Sequence, residues 1–148
     1  MPTAAKLFAA IAFALVSAVS AHFYVLSLPE SRPVGSLYAV CIAVGVLCGW
    51  LIMGPAAKRA RGRVEAMGSG VRTALTILVV VVLIFACADM LDRAMKGRYK
   101  TPLDALLGVF EQALVLLPPL ARPEIIGVML LGGLLGGAVA YGAGRRWP

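Results

Sequence analysis

The sequence predicts an all-α integral membrane protein with four transmembrane helices and one short amphipathic helix, either interfacial or re-entrant. Two observations favour this fold class. The chain of 148 residues is 61% hydrophobic and only 14% charged, unlike a soluble domain. A bilayer core of about 30 Å requires roughly 20 apolar residues per helix. Four long stretches contain no Asp, Glu, Lys or Arg, namely 7–29, 33–57, 73–88 and 125–144.

The first helix is predicted over residues 4–28 and the second over 34–54. Val19-Ser20-Ala21 is similar to a signal-peptide cleavage site, so a cleaved leader is the alternative interpretation of the first helix. Because the apolar run continues to Pro29 and reaches spanning length, we favour an uncleaved helix. We expect the second helix to end near Gly54-Pro55.

Residues 56–71 are rich in Arg, Ala and Gly, and they predict a mobile loop before the third helix, 71–97. A basic cluster beside a transmembrane helix sets topology and contacts anionic lipid. Nucleic acid is not expected as a partner, because the cluster has no aromatic side chains for stacking. Arg72 and Asp89 flank the third apolar stretch, and we expect both at membrane interfaces. The residues assigned to topology and lipid contact are Lys58, Arg59, Arg61 and Arg63.

An amphipathic helix is predicted over residues 102–117. Thr101, Pro102 and Asp104 suit the N-cap, first and third helical positions. Its 16 residues would extend about 24 Å, which is short for a span, and we expect Pro118-Pro119 to end it. Its apolar residues recur at helical spacing as Leu103, Leu106, Leu107, Phe110, Leu114 and Leu117.

The last helix is predicted over residues 123–144, which gives one membrane domain over 1–148. With four spans, eight of the 14 Lys and Arg residues fall on the side of the termini and six on the other side. The positive-inside rule therefore predicts both termini in the cytoplasm.

Small residues four apart mark expected helix contacts, because they let backbones approach closely in lipid. The same surfaces suit packing within the chain or a homo-oligomer, and we favour packing within the chain. The helix-packing candidates are Gly45, Gly49, Gly132, Gly133, Gly136 and Gly137.

The candidate functional acids are Asp89, Asp92, Asp104 and Glu111. With the predicted topology they lie on the outer side, where they could bind a cation or relay protons, or simply be solvated. Glu111 is singled out because it lies in the middle of the amphipathic helix, where a carboxylate must face water or find a partner. Two i,i+4 ion pairs are expected from spacing, namely Asp89–Arg93 and Asp92–Lys96.

His22 is the chain's one histidine and the remaining functional candidate. It suits a hydrogen-bonded structural role, with a proton or metal role as the alternative. Cys41, Cys48 and Cys87 all lie in apolar stretches and are expected as small buried hydrophobes. We therefore expect no catalytic residue, no cofactor and no metal site. The apolar stretches carry no charge, which argues against an active transporter built from one copy.

Several short strings occur in order along the chain. They are Met1-Pro2-Thr3-Ala4-Ala5-Lys6-Leu7, Leu28-Pro29-Glu30, Cys48-Gly49-Trp50, Met53-Gly54-Pro55, Gly70-Val71-Arg72-Thr73-Ala74, Arg98-Tyr99 and Ala105-Leu106-Leu107-Gly108-Val109-Phe110-Glu111. Taken together, these strings resemble the TrgA family of small alphaproteobacterial inner-membrane proteins associated with tellurite resistance, and the resemblance covers essentially the whole chain.

The resemblance implies a bacterial plasma-membrane location and a link to tellurite tolerance, without a mechanism or active-site residues. Direct tellurite reduction is disfavoured, because it needs accessible thiols or a redox cofactor. We therefore expect a non-enzymatic protein that alters oxyanion entry, export or envelope stress. The alternatives are an accessory subunit of a larger membrane complex and an oligomeric channel or transporter.

Overall fold

The computed structural model describes residues 4–26, 35–96 and 102–146, and every regular element in these ranges is helical. The elements are α1 (Ala4–Leu26), α2 (Gly35–Cys48), a π-helical segment (Gly49–Met53), α3 (Gly54–Arg59), α4 (Arg63–Met95), α5 (Pro102–Leu120) and α6 (Pro123–Arg146). In the described ranges, four helices are long and apolar enough to cross a membrane: Ala5–Leu26, Ser36–Arg59, Arg63–Met95 and Pro123–Arg146. The predicted all-α class with four long apolar helices is confirmed.

The second span continues through Gly54-Pro55, where the sequence predicted its end. Proline lacks an N–H and its ring crowds the carbonyl four residues earlier, which normally breaks a helix. Here the preceding turn widens into the π-helical segment, and the Gly54 N–H donates to the carbonyl of Gly49, five residues back. The wider turn accommodates Pro55, so the helical path reaches Arg59.

The predicted mobile loop 56–71 is mostly helical, and this prediction was wrong. The connection between α3 and α4 comprises only residues 60–62. The Glu65 carboxylate accepts a hydrogen bond from the Arg61 backbone N–H at 2.8 Å, which holds the start of α4. Ala66 and Gly70 are buried, and they pack against α6. These tertiary contacts order a segment whose charge and glycine content alone indicate a loop.

The long helices pack as antiparallel neighbours around a shared core. α1 lies between α2 and α6, and α6 lies between α1 and α4. Phe13 of α1 is fully buried at the centre of the bundle, close to Gly45 of α2 and Gly136 of α6. Large apolar side chains on the outer surfaces are exposed, as a lipid-facing bundle requires.

α5 packs mainly on α4, and it runs three residues beyond the predicted end at Leu117. The prediction that Pro118-Pro119 ends this helix was therefore wrong. The φ that a proline ring fixes suits a helix, and the Ala121 N–H donates to the Leu117 carbonyl at 2.9 Å, which closes the last turn. Gly108 and Gln112 are buried, whereas the predicted leucine-rich stripe is exposed.

Candidate functional site

A cavity of about 900 Å³ opens at the end of the bundle where α1 finishes and α6 begins. We call this the cavity end; the opposite end, which holds Lys6 and Arg145, is the basic end. Side chains from α1, α2, α4, α5 and α6 line the cavity. Its volume is that of a site for one small molecule.

Helical periodicity directs the lining residues inward. On α1, Ser17, Ala21 and Tyr24 lie on one helix face because they are three or four residues apart. On α4, the lining residues recur at the same spacing from Ile77 to Asp92. Most of the wall is aliphatic or aromatic, so the cavity offers a lipid-like interior.

Two serine hydroxyls lie on the α1 wall and differ in their hydrogen bonding. The Ser17 hydroxyl donates to the carbonyl of Phe13 at 2.8 Å and is buried. The Ser20 hydroxyl oxygen is also shielded from solvent, and no partner among the described residues satisfies it. A buried polar atom without a partner is energetically unfavourable, so Ser20 is a strained point in this wall, although its hydroxyl is not exposed to the cavity.

The lining residues Asp89, Asp92 and Arg93 give the cavity mouth charges of both signs. Asp92 and Lys96 form the predicted ion pair at 2.6 Å, with both side chains more than half exposed. The prediction of an Asp89–Arg93 ion pair was wrong, because no ion pair joins these residues within the described ranges. Both side chains face the cavity instead.

The other candidate acids lie outside this site. Glu111 and Asp104 are exposed on α5, and neither lines the cavity. His22 is exposed on α1, and its Nδ1 lies 3.1 Å from the Tyr38 hydroxyl of α2, which links these helices near the cavity end. Across the described part of the chain, no three His, Cys, Asp or Glu residues converge as metal ligands.

The three cysteines are free and occupy different environments. Cys41 is buried and lines the cavity, and Cys48 is buried in the core beside Phe13. Cys87 is exposed on α4, contrary to the expectation that all three are buried. An exposed thiol on an apolar helix face can contact lipid, because a thiol is only weakly polar and needs no hydrogen-bond partner there.

The predicted packing glycines lie at helix crossings within the chain. A Cβ on Gly45 or Gly49 would lie 2.7 Å from the carbonyl oxygens of Phe13 and Ala9, respectively. The two GxxxG patterns of α6 serve different neighbours, with Gly132 and Gly136 facing α1 and Gly133 and Gly137 facing α4. Both patterns are therefore occupied by intrachain contacts.

The basic residues assigned to lipid contact, Lys58, Arg59, Arg61 and Arg63, are all exposed at the basic end. Of the cavity lining, sequence reasoning selected Asp89 and Asp92 but not Ser17, Ser20, Tyr24 and Ser36. The available signal was the polar and aromatic face that Ser17, Ser20 and Tyr24 form on an otherwise aliphatic helix.

Comparison with protein-family models, curated proteins and solved structures gives no match for this chain.

Proposed function

We propose that this chain is a non-enzymatic, multi-pass protein of a bacterial plasma membrane that binds one amphiphilic molecule and supports tellurite tolerance. The observation that carries the binding proposal is the cavity of about 900 Å³ between the helices. The link to tellurite rests on the resemblance to the TrgA family. We join the two parts in one hypothesis, in which occupancy of the cavity by an amphiphile supports tolerance without redox chemistry.

The chemistry of the cavity favours an amphiphile with a neutral or zwitterionic head. Its walls are mostly apolar and suit an acyl or isoprenoid chain. At the mouth, Asp89 and Arg93 can bond opposite charges on one head group.

Tellurite itself is a poor candidate for the occupant. It is a small anion, and the charges of Asp89, Asp92, Arg93 and Lys96 around the mouth sum to zero. Such a mouth provides no net attraction for an anion, and its carboxylates repel one at short range. Tolerance would therefore depend on the bound lipid-phase molecule rather than on capture of the oxyanion.

The charge distribution supports a cytoplasmic location of both termini. Lys6, Lys58, Arg61 and Arg145 lie at the basic end, together with neighbouring arginines. Under the positive-inside rule this end faces the cytoplasm, and the cavity then opens toward the other side.

The functional test is growth of a clean deletion strain across a tellurite series, with the gene restored in different forms. We expect restoration by the wild type and by Ala94→Trp, and failure by Ala88→Trp. Ala88 lines the cavity, whereas Ala94 is exposed on the same helix outside it. Equal restoration by both tryptophan variants at equal protein levels would refute a role for the cavity.

Binding is tested directly with a fluorescent single-chain amphiphile, nitrobenzoxadiazole-labelled lysophosphatidylcholine, and the purified protein in detergent. We expect Ala88→Trp to weaken its binding at least tenfold, a change of about 1.4 kcal/mol or more. Ala94→Trp should leave binding unchanged. If Ala88→Trp lost tellurite tolerance but kept probe binding, the tolerance would not depend on the bound amphiphile.

One observation favours the accessory-subunit alternative. The exposed stripe of α5, from Leu103 to Leu117, could contact a partner helix as well as lipid. Co-purification with a membrane partner at fixed stoichiometry, lost on replacing Phe110 and Leu114 by Ser, would support that role. The glycine surfaces give no such support to a homo-oligomeric channel, because they are occupied within the chain.

A further inference from the structure

A second concavity, of about 490 Å³, lies at the basic end between α3 and the last turns of α6. Lys58 and Arg61 line one side, and Tyr141 and Arg145 line the other. The pocket thus gathers three cations from two segments that are distant in sequence. It is separate from the cavity described above and shares no lining residue with it.

Among the described residues, the cations of this pocket have no acidic partner. No carboxylate lines the pocket, and in the described ranges no ion pair involves Lys58, Arg61 or Arg145. Glu65, the nearest acid in sequence to Arg61, accepts a hydrogen bond from the Arg61 backbone N–H at 2.8 Å and forms no ion pair with the Arg61 guanidinium. Three side-chain charges therefore remain available to an anion.

Tyr141 fixes one wall of the pocket. Its side chain is only 8% exposed, and its hydroxyl accepts a hydrogen bond from Arg145 Nη1 at 3.3 Å. The Arg145 guanidinium carbon also lies 5.8 Å from the centre of the Tyr141 ring, within the range of a cation–π contact. A buried aromatic residue thus holds Arg145 on the pocket wall, which reduces the side-chain entropy lost on binding.

The position of the pocket favours a lipid over a soluble anion. Lys58 directly follows the apolar stretch 33–57, and Arg145 directly follows the apolar stretch 125–144. Both therefore stand where membrane-spanning helices leave the hydrocarbon, at the depth of phospholipid head groups. Lys and Arg side chains recognise phosphate through charge-assisted hydrogen bonds.

We propose that the pocket formed by Lys58, Arg61, Tyr141 and Arg145 binds the phosphodiester of an anionic phospholipid head group. Binding there would tie α3 to α6 through a shared lipid. This site depends on the chain being a membrane protein, but not on the cavity or on tellurite tolerance.

The test compares two triple variants of the full-length protein that remove the same charge. Lys58, Arg61 and Arg145 are replaced by Gln in the pocket variant, and Arg59, Arg63 and Arg146 in the control variant. The control residues are exposed neighbours that do not line the pocket. Native mass spectrometry in mild detergent then measures affinity for dioctanoyl-phosphatidylglycerol, dioctanoyl-phosphatidylcholine and inorganic phosphate.

We expect the wild type to prefer phosphatidylglycerol to phosphatidylcholine. The pocket variant should bind phosphatidylglycerol at least about tenfold more weakly, since it removes three cations that converge on one phosphate position. The control variant should change by less than about threefold, because screened exposed charges contribute less. Tyr141→Phe should weaken binding less than the pocket variant does, since it removes only the acceptor that orients Arg145.

Equal losses in the pocket and control variants would overturn the proposal, because they would show a diffuse charge effect. Inorganic phosphate that competes fully with phosphatidylglycerol at equal concentration would also overturn it, in favour of a soluble ligand. Should the pocket variant fail to insert, the single variants Arg61→Gln and Arg59→Gln provide the same comparison.

Discussion

Gly70 and Gly133 bring the backbones of α4 and α6 into direct contact. A Cβ placed on Gly70 would overlap the carbonyl oxygen of Gly133, and a Cβ on Gly133 would lie 3.0 Å from the Cα of Val71. Both obstacles are backbone atoms, which cannot rotate away as a side chain can. The crossing therefore depends on glycine at both positions.

Gly70→Ala should lower the free energy of unfolding by about 2–4 kcal/mol, a large effect for one methyl group, because the helices must separate. Gly68→Ala is the matched control on the same helix, since nothing lies within 4 Å of a Cβ there. It should be neutral or stabilising by up to about 1 kcal/mol through helix propensity. Denaturation of the detergent-solubilised protein, followed by circular dichroism, measures both. Equal effects of Gly70→Ala and Gly68→Ala would contradict the close contact between α4 and α6 at Gly70.

Gly133→Leu should prevent the chain from folding rather than dissociate an oligomer. The residue faces Gly70 and Val71 of the same chain, so a larger side chain disrupts the bundle itself. Gly127→Leu is the control, because position 127 has open space around it. Size-exclusion chromatography with light scattering, together with circular dichroism, distinguishes the outcomes. A well-folded Gly133→Leu monomer derived from a wild-type oligomer would contradict this expectation.

Met53→Ala should destabilise the bundle by about 2–5 kcal/mol, because it leaves a cavity in the core. Met53 is fully buried at the end of the π-helical segment, with the Thr73 hydroxyl 3.9 Å from its sulfur. Met53→Leu preserves most of the volume and should cost less than about 1.5 kcal/mol. Met95→Ala is the exposed control, at 82% exposure, and should be neutral in the same unfolding measurement.

The helices could be predicted from the sequence, but their ends and the site could not. Charge-free apolar stretches predict membrane helices because unpaired backbone groups are too unfavourable in lipid. The start of α4 was mistaken for a loop, because Ala66 and Gly70 are ordered by contacts with Gly137 and Gly133, which a single segment does not reveal. The continuation through Pro55 depends likewise on a π-helical turn with no sequence signature.

The packing glycines were visible as a pattern, whereas the cavity was not. Spacing of four identifies Gly45 and Gly49 as a small-residue face on one helix. The cavity exists only where five helices meet, and the polar face of Ser17, Ser20 and Tyr24 on α1 does not by itself reveal the other four walls. The charged mouth could be predicted in part, because Asp89 and Asp92 are candidates from their charge and position.

Asp92→Asn should reduce tellurite tolerance without lowering the free energy of unfolding. The Asp92–Lys96 pair is exposed, so breaking it should change the unfolding free energy by less than about 0.5 kcal/mol. Because Asp92 also lines the cavity, we expect Asp92→Asn to reduce tellurite tolerance in the complemented deletion strain. Lys96→Gln breaks the same pair from outside the cavity lining and should retain tolerance.

Glu111→Ala tests, in the same tolerance assay, an acid that lies outside the cavity. The sequence predicts that it weakens tolerance while the protein still inserts, because Glu111 is a carboxylate in a membrane-contacting helix. The structure places Glu111 outside the cavity, so with the proposed role of the cavity we expect a larger effect from Asp92→Asn. Loss of tolerance in Glu111→Ala alone, at normal protein levels, would point to the surface of α5 instead of the cavity.

Arg72 lies near the middle of the bundle along the direction of α6, not at its end. The sequence predicts it at a membrane interface, yet its neighbour Val71 packs on Gly133, which is close to the middle of α6 (Pro123–Arg146). Its side chain is exposed on α4, and no ion pair within the described ranges involves it. If α6 spans the bilayer symmetrically, the Arg72 backbone lies near the centre of the hydrocarbon.

Arg72→Leu should therefore stabilise the bilayer-embedded protein, by about 1–3 kcal/mol, since a central Arg disfavours insertion by about 2.5–3.5 kcal/mol before its long side chain reaches toward the head groups. Arg63→Leu, at the start of α4, removes the same charge near the basic end and should have little effect. Unfolding in lipid bicelles measures both variants. A destabilised Arg72→Leu would instead show that the guanidinium has a partner in the membrane, and a carboxylate from another chain would be the group to seek.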